Sequence, residues 1–451
     1  MAVTVLVVVG CGPSGDTGPV RTVIAEESVP RRQAAAAWAN WRGPGGRSTV
    51  RDAELPARWP EDGLQLVWQQ PMGTGWSSPV VADGRLVVTD RQGPEERVLC
   101  LNSATGEIVW QQAHAVDFDP HPVGRRHGNG PKSTAVIDGS HVLALGIAGW
   151  LECLDAATGE RRWRVNFPAA YGDREPLPGG RAYVKGTECV VVPVGSGEGG
   201  AVPLFGYTGS LLVDDGRVIS SVGGPRAGTL MAFDVETGDE VWRALDEHVS
   251  YSSPTVADIA GVRQIVAMTG PRVVGLEAES GKLLWSHPFQ IQYDESISTP
   301  TVAGDLVLVT GDSRPLTALR IERADDGSFS KSVAWTNRDL SSYLSSMVVA
   351  GEYVYGMNDG GEFACIRLAD GVTTWVDGAH GYYCSPVRAG ELLLGLNDEG
   401  ALAVLEATPA AYAPVANVSL VDEPTWTMPA VVTDSIVVRS AAEVRCFRLA
   451  P

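Results

Sequence analysis

The stretch Cys100-Leu101-Asn102-Ser103-Ala104-Thr105-Gly106-Glu107-Ile108-Val109-Trp110 decides the fold, because it returns in altered form along the whole chain. Asp155 to Trp163 (DAATGERRW), Asp234 to Trp242 (DVETGDEVW) and Glu277 to Trp285 (EAESGKLLW) are further copies, and Leu368 to Trp375 (LADGVTTW) is a looser one. Self-similarity at a period of about 40 to 50 residues marks supersecondary units that bury their apolar faces only against neighbouring copies.

Each copy reads as a hairpin. A short apolar run such as Arg97 to Leu101 precedes the Thr-Gly turn and a second run ends in Trp. Glycine supplies the positive φ of a tight turn, and the β-branched and aromatic flanks suit pleated strands. A second hairpin lies upstream, as in Ser77 to Thr89 (SSPVVADGRLVVT), where Asp-Gly joins two apolar runs. Four strands per repeat follow, the content of a propeller blade. Inner strands begin near Trp76, Lys132, Tyr207, Tyr251, Ile297, Leu344, Tyr383 and Trp426, and third strands lie near Cys100, Cys153, Met231, Gly275, Ala318, Cys365, Val404 and Cys446; both counts give eight.

Trp68 precedes the first inner strand and has no blade of its own, whereas the last strand, Glu443 to Arg448, has no outer strand after it. Leu64 to Gln70 is therefore expected to complete the last blade and close the ring, leaving no sheet edge between the termini. The chain contains 52 Gly and 29 Pro in 451 residues with 44% hydrophobic content, and no long helical periodicity, so an all-β chain is expected. The repeated tryptophans are read as packing between blades, and the cysteines at positions 100, 153, 365 and 446 as small apolar residues in one slot of four blades. Cys189 and Cys384 are left over, with nothing in the sequence to pair them.

The N-terminus carries a different message. Ala2 to Val9 is an apolar run too short to span a bilayer, and Val8-Val9-Gly10-Cys11 resembles the lipobox of bacterial lipoprotein signal peptides, although no Lys or Arg precedes it. That resemblance implies residues 1–11 as a signal peptide, Cys11 as the lipidated first mature residue, 12–37 as a tether and 38–451 as the propeller. A net charge of −19 disfavours nucleic acid, and no basic amphipathic helix suggests docking to anionic lipid, which leaves the lipid anchor as the expected membrane contact.

The Ala-Thr-Gly-Glu-x-x-Trp units over residues 38–451, with the opening Trp41-Arg42-Gly43-Pro44, Leu55-Pro56 and Trp59, resemble the PQQ-like (pyrroloquinoline quinone) β-propeller repeat family of planctomycete type. The resemblance implies one of two roles. One branch consists of quinoprotein dehydrogenases holding PQQ and calcium on the ring axis; the other consists of BamB-like envelope lipoproteins that scaffold outer-membrane protein assembly without a cofactor. The enzyme branch commonly carries two adjacent cysteines above the quinone, and this chain has no Cys-Cys pair. Asn358-Asp359 and Asn397-Asp398 are read as turn residues rather than calcium ligands. No catalytic residue and no metal site is assigned.

One segment stands apart from the repeat. Between the first and second blades the loop Asp117 to Lys132 carries Asp117, Asp119, His121, Arg125, Arg126, His127 and Lys132, a set suited to a small anion if it faces the axis. Trp76, Tyr207, Tyr251, Tyr343, Tyr382 and Trp426 hold the matching place elsewhere and are expected to encircle the same mouth. The step from Trp163 to Trp242 is nearly twice that from Trp68 to Trp110, and its Gly-rich excess, Arg174 to Val202, suggests an extra hairpin around Glu188 to Pro193. The sequence thus reads as an exported, lipid-anchored scaffold with protein partners in the cell envelope. A PQQ-dependent oxidoreductase and a small-ligand sensor are the alternatives.

Overall fold

Ser77-Ser78-Pro79, the lead-in to the first blade, starts a strand order that repeats around a ring. A computed structural model of the protein describes residues 37–60, 63–120, 122–171, 181–185, 188–192, 196–197, 200–203, 205–223 and 228–449. Residues 1–11, with Cys11, and most of the expected tether lie outside the described residues, as does His121.

Eight antiparallel blades form, each ordered inner to outer as the chain runs: blade 1 consists of Val80–Ala82, Arg85–Gln92, Glu95–Asn102 and Ile108–Ala115. The inner strands of blades 2 to 7 are Val136–Asp138, Leu212–Asp214, Thr255–Ile259, Thr301–Ala303, Val348–Ala350 and Val387–Ala389. Blade 8 contributes Ala430–Val432, Ser435–Arg439 and Glu443–Arg448, and its outer strand is Gln65–Pro71, paired antiparallel to Glu443–Arg448. The ring therefore closes through the N-terminal strand, as the orphan Trp68 requires. The expected extra hairpin is also present, Arg181–Lys185 paired with Glu188–Val192, followed by a two-residue pair, Ser196–Gly197 with Gly200–Ala201.

A β-bulge lies beside the tryptophan position of every blade, for example between Cys100 and Leu101 opposite Trp110, and between Leu66 and Trp68. The bulge turns the indole toward the next blade while its neighbour faces solvent, which explains exposed Val67, Val109 and Val241. Six of these seven indoles then donate to a carbonyl of the next blade's hairpin: Trp68 to Ser103 (3.0 Å), Trp110 to Ala156 (3.1 Å), Trp163 to Val235 (2.8 Å), Trp242 to Ala278 (3.2 Å), Trp335 to Leu368 (2.8 Å) and Trp375 to Thr408 (2.9 Å). The turn glycine lies flat on that indole. Gly106 has φ +74°, and a Cβ there would sit 2.6 Å from the Trp68 ring, so both its left-handed backbone and its lack of a side chain are required.

Opposite each indole stands a small residue. Cys100, Cys153, Cys365 and Cys446 pair with Trp110, Trp163, Trp375 and Trp68, and all four are buried free thiols. Blade 4 uses Gly275, and there Trp285 swings across its own sheet to donate to Gln264 Oε1 at 2.7 Å instead of crossing the seam. The seam between blades 4 and 5 is closed by apolar packing of Ile259, Phe289, Ile291, Val307 and Leu319.

Candidate functional site

Each inner strand starts at one end of the ring and runs inward, so successive residues mark depth along the axis. At the first level the loops enter: Trp76 from blade 1, His127 and Lys132 from the blade 1 to 2 crossing, Tyr251, Ile297, Leu344, Tyr383 and Trp426 from later blades. Two residues deeper lies Ser78, Thr134, Ser210, Ser253, Thr299, Ser346, Ser385 or Met428, one per blade.

Those hydroxyls form a belt. Ser78 N–H donates to Thr134 Oγ1 (3.1 Å), Thr134 N–H to Ser210 Oγ (3.1 Å), and Ser210 N–H to Ser253 Oγ (2.9 Å). Thr299 N–H donates to Ser346 Oγ (3.1 Å), Ser346 N–H to Ser385 Oγ (3.0 Å), and Met428 N–H to Ser78 Oγ (2.9 Å) across the closing seam. Inner strands this close to the axis have no sheet partner on their inner side, and the neighbour's hydroxyl satisfies the amide instead.

The far end of the axis is filled by the chain itself. Trp38 bridges to Val81 of blade 1, Ala39 accepts from Ile137 of blade 2, and Trp41 donates to Thr299 Oγ1 of blade 5 (3.3 Å). Arg42, buried, donates through Nε to Ser48 Oγ (2.8 Å) and through its two terminal nitrogens to Thr301 Oγ1 and the Met347 carbonyl of blades 5 and 6. Thr49–Val50 then pairs parallel to Val387–Ala389 of blade 7. Gly43, φ +64°, is seated against the Trp38 ring and leaves no room for a Cβ. The segment from Trp38 to Val50, with the Trp-Arg-Gly-Pro motif at its centre, is thus a plug that crosses from blades 1 and 2 to blades 5, 6 and 7.

Between mouth and plug lies a cavity of about 160 Å³ with Trp41 in its wall. Trp76 and Trp426 stack at its rim, with centroids 5.9 Å apart and planes at 24°. The His127 ring meets Trp426 edge-on at 5.0 Å, and Phe205 meets Tyr251 likewise at 5.1 Å. Trp76 Nε1 donates to the His127 carbonyl (3.0 Å), which ties the blade 1 to 2 loop to the rim. Lys132 Nζ donates to the Phe205 carbonyl at 3.2 Å. Across the cavity, Tyr343 Oη donates to the Glu295 carboxylate.

Burial sets the charges. It pushes the Lys132 ammonium down to about 8, only partly offset by Glu96. His127 falls to about 4, first through burial and then through the Arg126 and Lys132 charges, so its imidazole is neutral at pH 7. Glu295 is raised by burial against the opposing pull of its Tyr343 hydrogen bond, and the Arg126 charge acts on Glu295, Tyr343 and Tyr382 alike.

Of the residues the sequence singled out, Trp76, His127, Lys132, Tyr251, Tyr343 and Trp426 line the cavity, and Arg126 faces the same mouth while donating to His127 Nε2 at 3.0 Å. Asp117, Asp119 and Arg125 are exposed and stand outside it. Tyr207 departs from expectation: it is buried between Phe167 and the blade 2 to 3 seam, because Gly149 opens a slot for its ring. Tyr382 is 48% exposed, and its neighbour Tyr383 takes the cavity position. Trp41, Phe205 and Glu295 escaped sequence reasoning. Trp41 lies far from the blades it plugs, and Glu295 belongs to no repeat.

The group implied by the PQQ-like resemblance, a tricarboxylate quinone with calcium, asks for several cations and a converging set of oxygens. Among the described residues the cavity offers one ammonium and one carboxylate, the latter already bonded to Tyr343. Asn358 and Asn397 cap their own turns, and Asp359 and Asp398 accept the amides of Tyr343 and of Tyr382 and Tyr383. Among the described residues no three His, Cys, Asp or Glu side chains converge on one point. These residues do not fit that group.

An eight-bladed propeller with docked tryptophans and a plugged axis defines the class. Residues 51–125 and 94–377 match the family model described as outer membrane protein assembly factor BamB, and the chain belongs to that PQQ-like propeller family. In structure it is similar to BamB from Moraxella catarrhalis (TM-score 0.57, 17% identity, covering 85% of this chain and 99% of that one). It is also similar to quinohemoprotein alcohol dehydrogenase from Comamonas testosteroni (TM-score 0.59, 15% identity, covering 93% of this chain and 82% of that one). In sequence it is 28% identical over 175 residues to quinohemoprotein alcohol dehydrogenase ADH-IIG from Pseudomonas putida, a match to 37% of this chain that spans about a fifth (19%) of that curated relative. Among the described residues no helix is long and apolar enough to cross a membrane.

Proposed function

We propose that the protein is a non-catalytic binding propeller of the bacterial cell envelope, a scaffold of BamB-like type that engages protein partners through its outer faces and is held to a membrane by lipid on Cys11. The observation that carries this reading is the axis: its far end is plugged by Trp41 and Arg42, and among the described residues the remaining cavity presents one lysine and one carboxylate, the carboxylate already held by Tyr343. An axis so filled leaves the outer faces of the ring for larger partners. Membership of the family described as an outer membrane protein assembly factor supports the envelope as the setting.

Three measurements test it. Affinity capture from envelope extracts of the native host is expected to recover outer-membrane assembly components, and Cys11→Ala to release the protein from the membrane fraction. Purified protein mixed with PQQ and calcium is expected to show neither saturable quinone absorbance nor dye reduction with alcohols. Turnover in that assay would favour the oxidoreductase alternative, for which the local match to the Pseudomonas enzyme is the supporting observation.

A further inference from the structure

The belt hydroxyls have capacity left over. Ser210 and Ser253 each accept a neighbour's N–H, as does Ser346, and all three are buried in the cavity wall. Among the described residues none of the three finds an acceptor for its own hydroxyl proton. A buried hydroxyl that only accepts is half used, and its proton is available to a ligand oxygen.

The lysine is in the same position. Lys132 carries three N–H donors and spends one on the Phe205 carbonyl. It enters from blade 2 and lines the same cavity as Ser210 of blade 3 and Ser253 of blade 4, whereas Glu295 and Tyr343 stand at blades 5 and 6. Among the described lining residues the cavity is therefore polarised in charge, with Lys132 on one wall and Glu295 on the other. Its remaining wall is aromatic, from Trp41, Trp76, Trp426, Phe205 and Tyr251.

Size decides the rest. A cavity of about 160 Å³ matches the roughly 150 Å³ that in other proteins holds a single benzene ring. A second anionic group on such a ligand would face Glu295, and a large polyanion would collide with the Trp41 plug.

We propose that the axial cavity is a binding site for a small, single-ring acid with one negative charge, its ring against the tryptophans and its oxygens on Lys132 Nζ and the hydroxyls of Ser210 and Ser253. The site goes beyond the scaffold reading and stands apart from it: a bound acid would report a small-molecule signal at the mouth without altering the outer faces.

Benzoate is the probe, with benzyl alcohol as its neutral counterpart and phthalate as its dianion, each titrated into the full chain at pH 7 by calorimetry and by quenching of tryptophan emission. Saturable binding of benzoate at millimolar concentration or below is expected, with benzyl alcohol and phthalate weaker on the order of tenfold. Lys132→Met should lose a similar factor while its melting temperature holds; Lys132→Arg, which keeps the charge, should retain most of the binding and so guards against a folding artefact. Ser253→Ala should weaken benzoate several-fold. Absence of saturation, phthalate or PQQ binding as tightly as benzoate, or wild-type affinity in Lys132→Met would each overturn the site. Failure of benzoate to bind leaves the scaffold reading standing, whereas quinone turnover would overturn both.

Discussion

The perimeter of the ring and its axis are built from the same repeat, yet one is nearly uniform and the other is not. Along the perimeter six of the eight seams use one device, an indole donating to a carbonyl of the next hairpin. At the axis, the residues entering the inner strands differ blade by blade: Trp76, Lys132, Tyr251, Ile297, Leu344, Tyr383 and Trp426. Six seams solve the same packing problem and converge on one answer. The axis has no packing problem common to all blades, so differences there reflect what the cavity contacts. Stability is therefore expected to concentrate at the perimeter and binding at the axis.

The strongest way to break that contrast is at a seam. Trp110→Ala removes a buried indole and leaves the Ala156 carbonyl without its donor, and should cost about 3 to 5 kcal/mol in urea or thermal unfolding. Trp76→Ala, at the rim of the axis, should cost clearly less. If the two cost the same, the division between perimeter and axis fails.

Between these regions lies a buried polar cluster that sharpens the comparison through pH. Glu96 of blade 1 accepts from the Ile147 amide of blade 2 (2.9 Å), stands beside His114 and is surrounded by Glu152, Arg91 and Arg164. Burial pushes its carboxyl up to about 7, whereas burial, with Arg164 and Arg161, pushes His114 down to about 4. A raised acid keeps its proton in the folded state, so Glu96 adds stability that is full below its unfolded value near 4.5 and is lost as pH rises through 7. A depressed histidine does the opposite: its contribution is present above about 6.5 and is lost as pH falls through 4. Each term amounts to about 3 kcal/mol, and the two oppose within one window. Glu96→Gln should therefore lose stability more steeply than wild type between pH 6.5 and 4.5, and His114→Gln less steeply. Parallel unfolding curves for all three proteins across that range would contradict the assignment.

The perimeter was legible from the sequence because periodicity exposes it: Thr-Gly turns, Trp at the strand end, small residues opposite, and Trp68 without a blade imply the closing pair with Glu443–Arg448. The axis was legible only in part. Aromatic residues before inner strands marked Trp76, Tyr251, Tyr343 and Trp426, but Tyr207 shares the pattern and packs into the blade 2 to 3 seam instead, in the slot that Gly149 leaves open. The hydroxyl belt escaped sequence reasoning: Ser-Ser and Ser-Thr pairs recur before the inner strands, but the pattern alone does not say that each oxygen serves the neighbouring blade. The plug had no local signal of place, because what positions Trp41 and Arg42 are blades 5 and 6, more than half the chain away.

A smaller effect tests the belt. Ser253→Ala leaves the buried Ser210 amide without an acceptor and should cost about 1 to 2 kcal/mol, more than the same change at Ser280 in an exposed turn.

The smallest stability effect is expected at the residue given the largest role in binding. Among the described residues Lys132 makes one hydrogen bond, to the Phe205 carbonyl, and its ammonium is held down to about 8 by burial, so folding works against its charge. For a base whose folded value lies below its unfolded value near 10.4, the folded state sheds its proton first, and stability rises with pH between about 8 and 10. Lys132→Met should abolish that rise and leave melting at pH 7 unchanged or slightly higher, because a methionine stem fills the same space without a desolvated charge. A substantial fall in melting temperature would instead make Lys132 a structural residue like the perimeter tryptophans. That outcome would remove the contrast between the two regions at the position where the contrast is sharpest.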